Sequence, residues 1–404
     1  MTKTLVVATH YPLLEATGGD MRTMHFVRFF RQFGEVDIAY SFGPAQGTPR
    51  EELVRSELQL SLRAGSFGHR LVSGLVAMTP MPIYRYERAA RVAFTAKVVS
   101  EQYDYILLRY AYTSGLLRDL PPPARARTIL DLDDNIAGSL YDHLTDGLPR
   151  GARRRVLEIN RSLLRQHEAR SARTIVTTVC SDEDRTRFRG RSQRLPFVVP
   201  NIYAPAVTTR ARDHGDGFGR GHRLLFVGTL SYPPNALGLL WFLKTIFPSF
   251  RRAYPTASLV VIGRGPTIEV QSICALTEGV TLIPDAPEVL PHYREARAVV
   301  VPLLAGGGTR IKILEAAFAQ RPVISTPIGA EGLGFANKKE LLLFDDATEF
   351  LRAYDELRDE PTYRGLVSNA KARLEAKYSA RGFDSALSAV VAHLDGTDTS
   401  EQLR

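Results

Sequence analysis

The sequence predicts an α/β protein made of two doubly wound parallel sheets. Short apolar runs typical of buried parallel strands recur along the 404 residues, and segments with helical spacing of apolar residues separate them. This alternation of strands and helices favours parallel strands joined by crossover helices. The length of the chain fits two domains of this kind.

Residues 1–200 are predicted to form the first domain. Its predicted strands are 3–9, 36–40, 105–109, 128–132, 174–179 and 197–200. Helices are expected at 21–33 and 151–171, and most of 43–100 is expected to be helical, with a proline-rich break at 79–82.

Periodicity is lost between residues 201 and 222, which predicts an interdomain linker. The second domain is predicted at 223–380, and residues 395–404 are expected to form a disordered tail. Its predicted strands are 223–227, 257–262, 280–283, 299–301, 323–325 and 340–344.

Composition favours a soluble globular protein, with 44% hydrophobic and 24% charged residues. The two cysteines, Cys180 and Cys274, are too few for a disulfide framework and are expected to be buried thiols. The apolar run at the N-terminus is too short for a signal peptide, and no apolar stretch approaches the length of a membrane span. We therefore expect a cytoplasmic protein.

Charge is distributed unevenly along the chain, whose formal net charge is +9. Residues 1–200 contain 29 Lys and Arg against 21 Asp and Glu, whereas residues 201–404 contain 23 against 22. The basic first half indicates an anionic partner, for which an anionic membrane surface, a lipid-phosphate acceptor and nucleic acid are the candidates. The basic helix predicted at 151–171 has a solvated charged face as its simplest interpretation.

A glycine loop follows the apolar run 299–301. Gly306, Gly307 and Gly308 precede Thr309, whose hydroxyl is predicted to cap a helix that ends before Pro322. Glycines let a ligand approach the backbone, and the N-terminus of a helix favours negative charge. The pattern therefore indicates an anion site.

Two cations, Arg310 and Lys312, are predicted in the first turn of this helix, where the helix dipole disfavours them. They would be stabilised by a bound anion. Glu315 is expected one turn later on the same face, where its carboxylate could bind sugar hydroxyls. The alternative is a glycine-rich turn with a solvated helix start.

This stretch resembles the nucleotide-sugar site of the family 4 glycosyltransferases, which have the GT-B fold of two Rossmann-like domains facing a central cleft. Family members usually carry two glutamates eight positions apart; here the second is Glu315 and the first position is Gly307. The segments VGTLSYPPN, VIGRGP and GGGTRIKILEAAFAQRPVIST extend the resemblance over nearly the whole second domain.

The resemblance implies further donor-binding residues: Gly228, Asn235, Arg264, Asp285 and Ala286. Many members have arginine and lysine after the first strand of this domain, where this chain has Thr229 and Asn235. The diphosphate charge would therefore rest on Arg310 and Lys312, with Arg264.

The first strand is followed by a loop that contains Gly18 and Gly19, with Arg22 in the next helix. This loop resembles the first loop of family 4 enzymes and is predicted to bind the acceptor; by itself it is a weak phosphate-loop signal. Arg109 ends a strand at the expected ligand edge and is a further acceptor-binding candidate, although pairing with a nearby acid is an equal alternative.

Three acids, Asp131, Asp133 and Asp134, cluster at the end of strand 128–132. They could bind a metal ion, but no metal site is predicted. The resemblance instead puts Asp133 at the position of an acceptor-side histidine, where it would orient the acceptor hydroxyl.

The resemblance implies a retaining, metal-independent glycosyltransferase without a bound cofactor. Its donor would be a nucleotide-diphosphate sugar, a UDP- or GDP-sugar, and its acceptor a glycan, a lipid-linked glycan or a small-molecule glycoside in cell-surface polysaccharide synthesis. Residues 381–394 would form the helix that crosses back to the first domain. The alternatives are a sugar-nucleotide epimerase, a phosphorylase of the same fold, or a nucleic-acid-binding protein, which the lack of a recognisable module disfavours.

Overall fold

The computed structural model describes residues 1–11, 18–43, 53–63, 83–133, 151–203 except 191 and 193, 217–306 except 220, and 309–396. Its strands form two sheets in which neighbouring strands of the described residues pair in parallel. Two compact units contain them, one of Met1–Pro200 with Phe383–Arg404 and one of Asn201–Gly382.

The first unit contains seven strands in the order β3-β2-β1-β4-β5-β6-β7. They are β1 (Thr2–His10), β2 (Gly34–Phe42), β3 (Ser56–Gln59), β4 (Tyr105–Arg109), β5 (Thr128–Asp131), β6 (Val176–Val179) and β7 (Phe197–Val198). The order reverses between β1 and β4, which are neighbours, as in doubly wound sheets.

Helices lie between these strands. They are α1 (Gly18–Arg31), α2 (Arg88–Glu101), α3 (Tyr110–Thr113), a 3₁₀ helix (Ser114–Asp119), α4 (Pro122–Ala126), α5 (Ala152–Thr174) and α6 (Asp182–Thr186). The last helix of the chain, Ala380–Leu394, lies mostly in this unit, and its Phe383 ring packs against that of Phe26 at 5.0 Å.

The second unit contains six strands in the order β10-β9-β8-β11-β12-β13. They are β8 (Arg223–Val227), β9 (Ser258–Gly263), β10 (Val280–Pro284), β11 (Ala298–Val301), β12 (Val323–Ser325) and β13 (Leu342–Leu343). The order reverses between β8 and β11, so loops that follow these two strands border the crevice in which such sheets bind ligands.

The helices of the second unit continue the numbering. They are α7 (Pro233–Trp241), a π-helix (Phe242–Ile246), α8 (Phe247–Ala253), α9 (Ile268–Leu276), α10 (Leu290–Glu295), α11 (Ile311–Phe318), α12 (Pro327–Ala330), α13 (Ala347–Glu356) and α14 (Glu360–Lys377), after which α15 is Ala380–Leu394. Two apolar clusters, one on each face, enclose the sheet; Phe226 belongs to one and Val301 to the other.

The prediction of a mostly helical segment at 43–100 was wrong in part. Residues Ser56–Gln59 form the edge strand β3, which pairs with β2 from Ser56 opposite Asp37. Its sequence, SELQ, is polar on an exposed sheet edge and therefore lacks the apolar pattern that predicts strands. The proline-rich break at 79–82 lies outside the described residues.

Both cysteines are buried thiols, as expected. Among the described residues, no helix has the length and apolar character needed to cross a membrane. Most of the predicted linker, Asp134 and residues 397–404 of the predicted tail lie outside the described residues.

Candidate functional site

The donor-binding residues predicted in the second unit collect at the carboxyl edge of its sheet. Gly228 follows β8 directly, and its N–H donates to the carbonyl of Ile262 at 3.0 Å. Gly306 and Arg310 come after β11, the neighbour of β8 across the reversal of strand order. The parallel sheet therefore brings together segments that are about 80 residues apart in the sequence.

Gly228 provides the space in which two of the predicted side chains meet. A Cβ atom at this position would lie 2.8 Å from Nζ of Lys312 and 2.9 Å from the side-chain amide of Asn235, closer than such atoms pack. A side chain at position 228 would therefore displace the lysine, the asparagine or both.

Lys312 and Asn235 form a hydrogen-bonded pair. The ammonium donates to Oδ1 of Asn235 at 2.9 Å, and Nδ2 of Asn235 donates to the carbonyl of Thr229 at 2.9 Å. The ammonium also lies 5.0 Å from the centre of the Phe226 ring, within reach of a cation–π interaction. These contacts fix the cation beside the end of β8.

Burial lowers the pKa of Lys312 from its usual 10.5 to about 7, and the positive charge of Arg310 acts in the same direction, while Glu315 opposes it. Partners of Nζ in the structure are a neutral amide and an aromatic ring. The site thus holds a cation that is poorly compensated, so a bound anion would stabilise its charged form.

Glu315 lies one turn from Lys312 on α11 and is held by a tyrosine. The hydroxyl of Tyr293 donates to Oε2 of Glu315 at 2.7 Å. Burial raises the pKa of Glu315, while the Tyr293 hydrogen bond and the charge of Lys312 act against that rise. Tyr293, on α10, was not predicted as a site residue, because nothing in its local sequence connects it to α11.

The predicted helix cap at Thr309 was wrong. Helix α11 begins at Ile311, and Arg310 is the residue before it, with a non-helical backbone and no capping side-chain bond. The Thr309 hydroxyl is buried and bonds to none of the described residues. Because the chain turns into the helix one residue later than predicted, the hydroxyl does not reach the N–H groups of the first turn.

Arg310 therefore precedes the first turn, and Lys312 is its second residue. Arg310 is 7% exposed and donates from Nη2 to the carbonyl of Ile328 at 3.2 Å. Gly306 has φ +124°, a conformation that glycine adopts without strain. Gly307 and Gly308 lie outside the described residues.

Three other predicted donor residues lie at the same edge, after β9 and β10. Arg264 is exposed, and its carbonyl accepts a hydrogen bond from Leu230 N–H at 2.8 Å. Asp285 has a left-handed backbone with φ 51°, and its N–H donates to Gly263 at 3.2 Å. Ala286 is half-buried beside it. Exposed backbone at this position suits contacts with a planar base.

The residues predicted to bind the acceptor lie in the first unit, where α1 begins at Gly18. Gly19 presents its carbonyl to the hydroxyl of Thr23 at 2.8 Å and to Nη2 of Arg109 at 3.3 Å. Arg22 and Arg109 are 2% and 0% exposed. Both guanidinium groups are therefore enclosed within the first unit.

A buried ion-pair cluster, consisting of Arg22, Arg109, Asp131 and Asp133, explains that burial. Asp131 accepts from Nη2 of Arg22 at 2.7 Å, from Nη1 of Arg109, and from the Thr178 hydroxyl at 2.5 Å. Asp133 accepts from Nη2 of Arg109 at 3.1 Å. Pairing of Arg109 with a nearby acid, the alternative interpretation of the sequence, is thus what the structure shows.

Asp133 is the cluster residue closest to solvent, at 8% exposed, and has φ 58°. Two guanidinium groups stabilise its charged form, since Nε of Arg22 also lies 3.7 Å away. Its carboxylate is therefore suited to accepting hydrogen bonds. Among the described residues, no group of three His, Cys, Asp or Glu side chains could hold a metal ion.

The second unit matches a known family. Residues 221–360 match the family model described as glycosyl transferases group 1. A 136-residue segment is 30% identical to an uncharacterised 44.6 kDa protein in the cps region of Klebsiella pneumoniae. That match covers 32% of this chain and 35% of the relative, so it spans about a third of the length of the relative.

Solved structures match over almost the whole chain. Sucrose-phosphate synthase from Thermosynechococcus elongatus is 15% identical with a TM-score of 0.69, over 98% of this chain and 100% of that one. HepE from Anabaena, in complex with UDP and glucose, is 12% identical with a TM-score of 0.65. The match covers 97% of this chain and 100% of that one.

The two doubly wound sheets are therefore those of the GT-B fold, and the predicted fold class is confirmed. Residues 221–360, which match the family model described as glycosyl transferases group 1, contain every predicted donor-binding residue.

Replacing one acid of the buried ion-pair cluster tests whether the cluster is structural. We expect Asp131→Asn to lower the free energy of unfolding by about 3–5 kcal/mol, because two buried guanidinium groups would then share one carboxylate. Asp104→Asn is the matched control: Asp104 pairs with Arg127 at the surface at 3.2 Å, and its loss should cost less than about 1 kcal/mol. Urea unfolding measures both, and equal small losses would show that the cluster is solvated.

The lowered pKa of Lys312 predicts a pH dependence of stability. Between pH 7 and about 10 the unfolded chain keeps the Lys312 proton while the folded protein loses it, so folding stability rises with pH. The free energy of unfolding of the wild type should therefore rise, relative to that of Lys312→Met, by up to about 1.4 kcal/mol per pH unit. Urea unfolding at pH 7, 8 and 9 measures this gain.

The control for this pH series is Lys244→Met. Lys244 is exposed on the π-helix and pairs with Glu269 at 3.3 Å. We therefore expect the difference in the free energy of unfolding between the wild type and Lys244→Met to be the same at the three pH values. Identical pH slopes for Lys312→Met and the wild type would show that the ammonium is solvated.

Proposed function

We propose that the protein is a retaining glycosyltransferase that moves a sugar from a nucleotide-diphosphate sugar to a hydroxyl acceptor. The observation that carries this proposal is the pair Arg310 and Lys312 at the start of α11, beside the reversal of strand order between β8 and β11. Both cations belong to the segment that matches the group 1 glycosyltransferases.

The donor is proposed to lie along the carboxyl edge of the second unit. Its diphosphate would contact Lys312, Arg310 and the backbone of the loop at Gly306, while Glu315 would accept hydrogen bonds from ribose hydroxyls. The backbone near Asp285 and Ala286 would contact the base. We propose UDP as the nucleotide, since the solved Anabaena relative is a complex with UDP.

The reaction breaks the bond between the anomeric carbon and the diphosphate and forms a bond from that carbon to the acceptor oxygen. Negative charge grows on the departing diphosphate, and a cation fixed in place before the reaction stabilises that charge without reorganisation. The acceptor proton passes to the departing phosphate oxygen. Lys312 and Arg310 supply the stabilising charge in this scheme.

The first unit is proposed to contribute the acceptor site. Asp133 remains its candidate, because its carboxylate accepts hydrogen bonds and is partly reached by solvent. Orientation of the acceptor hydroxyl suits it better than proton abstraction, since Arg22 and Arg109 hold its negative charge. Arg22 and Arg109 would then position Asp133 without touching the acceptor.

A role in capsule or other cell-surface polysaccharide synthesis is proposed from the relative encoded in a cps region. The basic first half of the chain supports work at the inner face of an anionic membrane. Binding to anionic vesicles that weakens as salt is raised would be the signature of such a contact.

Nucleotide binding tests the role of the two cations. With UDP at a hundred times its Kd, we expect the wild type to gain about 2.7 kcal/mol of stability, and Lys312→Met and Arg310→Met to lose most of that gain. Turnover of the UDP-sugar should fall about a hundredfold or more in either variant, as when a charge-stabilising donor is removed. Thermal unfolding with and without UDP, and UDP release, are the measurements.

Lys244→Met serves as the control, since it removes an exposed cation of the same unit. It should keep both UDP stabilisation and turnover. If Lys312→Met and Arg310→Met bind UDP as tightly as the wild type and turn over normally, the start of α11 has a structural role only.

Metal independence has its own test. We expect turnover to persist in excess EDTA, because cationic side chains supply the charge that a metal would supply and both oxygens of Asp131 are used by side-chain donors. Complete loss of turnover in EDTA, restored by Mn²⁺, would contradict metal independence. The acids near the end of β5 would then be the candidate metal ligands.

A further inference from the structure

The first unit contains a cavity of about 450 Å³ that none of the roles above uses. It is lined by Arg63, Ile83, Tyr84, Arg85, Tyr86, Ser114, Gly115, Leu117, Arg118, Arg125, His167, Thr174 and Ile175. It shares no residue with the buried ion-pair cluster or with the candidate donor site. Its volume lies in the range of small-molecule pockets.

Positive charge dominates the wall of this arginine cavity. Four arginines line it, and no acidic side chain does among the described residues. The nearest carboxylate in sequence, Asp119, lies 3.9 Å from Arg118 but already accepts two hydrogen bonds from Nε of Arg91, at 2.8 and 3.0 Å. The carboxylate nearest to Arg118 is therefore shared with Arg91, and no acidic side chain belongs to the described wall of the cavity.

Local structure fixes where the arginines are presented. Arg63 N–H donates to the carbonyl of Arg85 at 2.8 Å, and Leu62 and Tyr86 form an antiparallel bridge beside it. Nη2 of Arg125 donates to the carbonyl of Leu117 at 2.5 Å, which holds this guanidinium at the wall. The guanidinium of Arg125, held in this way, suits the planar, bidentate recognition of phosphate or carboxylate.

The rest of the wall suits a sugar ring. Tyr84 stacks on Tyr112 with ring centres 5.5 Å apart and planes 15° apart, and Tyr84 remains half-buried at the cavity. The Ser114 hydroxyl donates to Ala111 at 2.5 Å and so accepts from Nε2 of His167 at 2.7 Å. An aromatic face, apolar side chains and neutral polar groups thus lie among the cations.

We propose that this cavity binds an anionic saccharide, a sugar ring that carries a phosphate or carboxylate group. Arginines would pair with the acidic group, and Tyr84 would pack against the ring. The site goes beyond the proposed transfer reaction, because it binds a charged sugar at a place separate from the candidate donor site. It gives the first unit a preference for acidic over neutral saccharides.

Calorimetric titration of the full chain tests the proposal, with glucose 6-phosphate and glucuronate as probes and glucose and inorganic phosphate as comparisons. Both anionic sugars should bind the wild type, glucose should not, and phosphate should bind more weakly than glucose 6-phosphate. The double variant Arg63→Gln/Arg125→Gln should weaken binding of both anionic sugars at least about tenfold. Tyr84→Leu should reduce the advantage of glucose 6-phosphate over phosphate.

Arg127→Gln is the matched control, because Arg127 is exposed two residues from Arg125 and pairs with Asp104 outside the cavity. It should bind the probes as the wild type does. Stabilisation by UDP should be the same in all variants, which shows that they fold and separates this proposal from the transferase function.

Three results would overturn the proposal. Equal binding of phosphate and glucose 6-phosphate would leave an anion site without saccharide recognition. Unchanged binding in the double variant would place the probes elsewhere. Loss of binding to anionic vesicles in the double variant, with no affinity of the wild type for the soluble sugars, would assign the arginines to a membrane surface.

Discussion

Partial burial of one ammonium group, that of Lys312, is the constraint on which the candidate donor site depends. An isolated charge in a protein interior is costly, and here the folded chain offers the ammonium an amide oxygen of Asn235 and the face of Phe226. The absence of a side chain at Gly228 makes room for that arrangement. The strain that remains is electrostatic, and a diphosphate would relieve it.

In the first unit, by contrast, buried charges are paired with charges of opposite sign. In its ion-pair cluster, two guanidinium groups face two carboxylates, and the Thr178 hydroxyl gives Asp131 a further donor. Removal of one partner from such a buried cluster is costly, so the cluster fixes the local structure around Asp133. By contrast, Lys312 of the second unit has an amide oxygen and an aromatic ring as partners, and the described wall of the arginine cavity contains four arginines and no acidic side chain.

Sequence periodicity predicted most strands of both sheets, because buried parallel strands are continuous apolar runs such as Ala298–Val301. It missed β3, whose polar sequence is held by pairing with β2. It also placed the cap of α11 one residue early, since a threonine after glycines is a common cap. Such errors arise where tertiary contacts override local preference.

In the candidate site, too, the sequence predicted individual residues but not the tertiary contacts between them. The sequence identified Arg310, Lys312 and Glu315 from their spacing, but the partner of Glu315, Tyr293, comes from another helix. The residues of the ion-pair cluster were each noticed as strand-end or helix-start residues. Their mutual pairing depends on register, which places Arg109 directly opposite Asp131 in neighbouring strands. Strand order and register are properties of the whole sheet, so a local pattern does not contain them.

The most direct test of this account is an NMR titration of the Lys312 side chain in protein with isotope-labelled lysine, with and without UDP. The Lys312 signal would be assigned from its loss in Lys312→Arg. The account predicts a pKa of about 7 in the free protein, rising by more than about one unit when UDP binds, because the diphosphate stabilises the ammonium. A pKa near 10.5 in the free protein, or a pKa that UDP leaves unchanged, would contradict it.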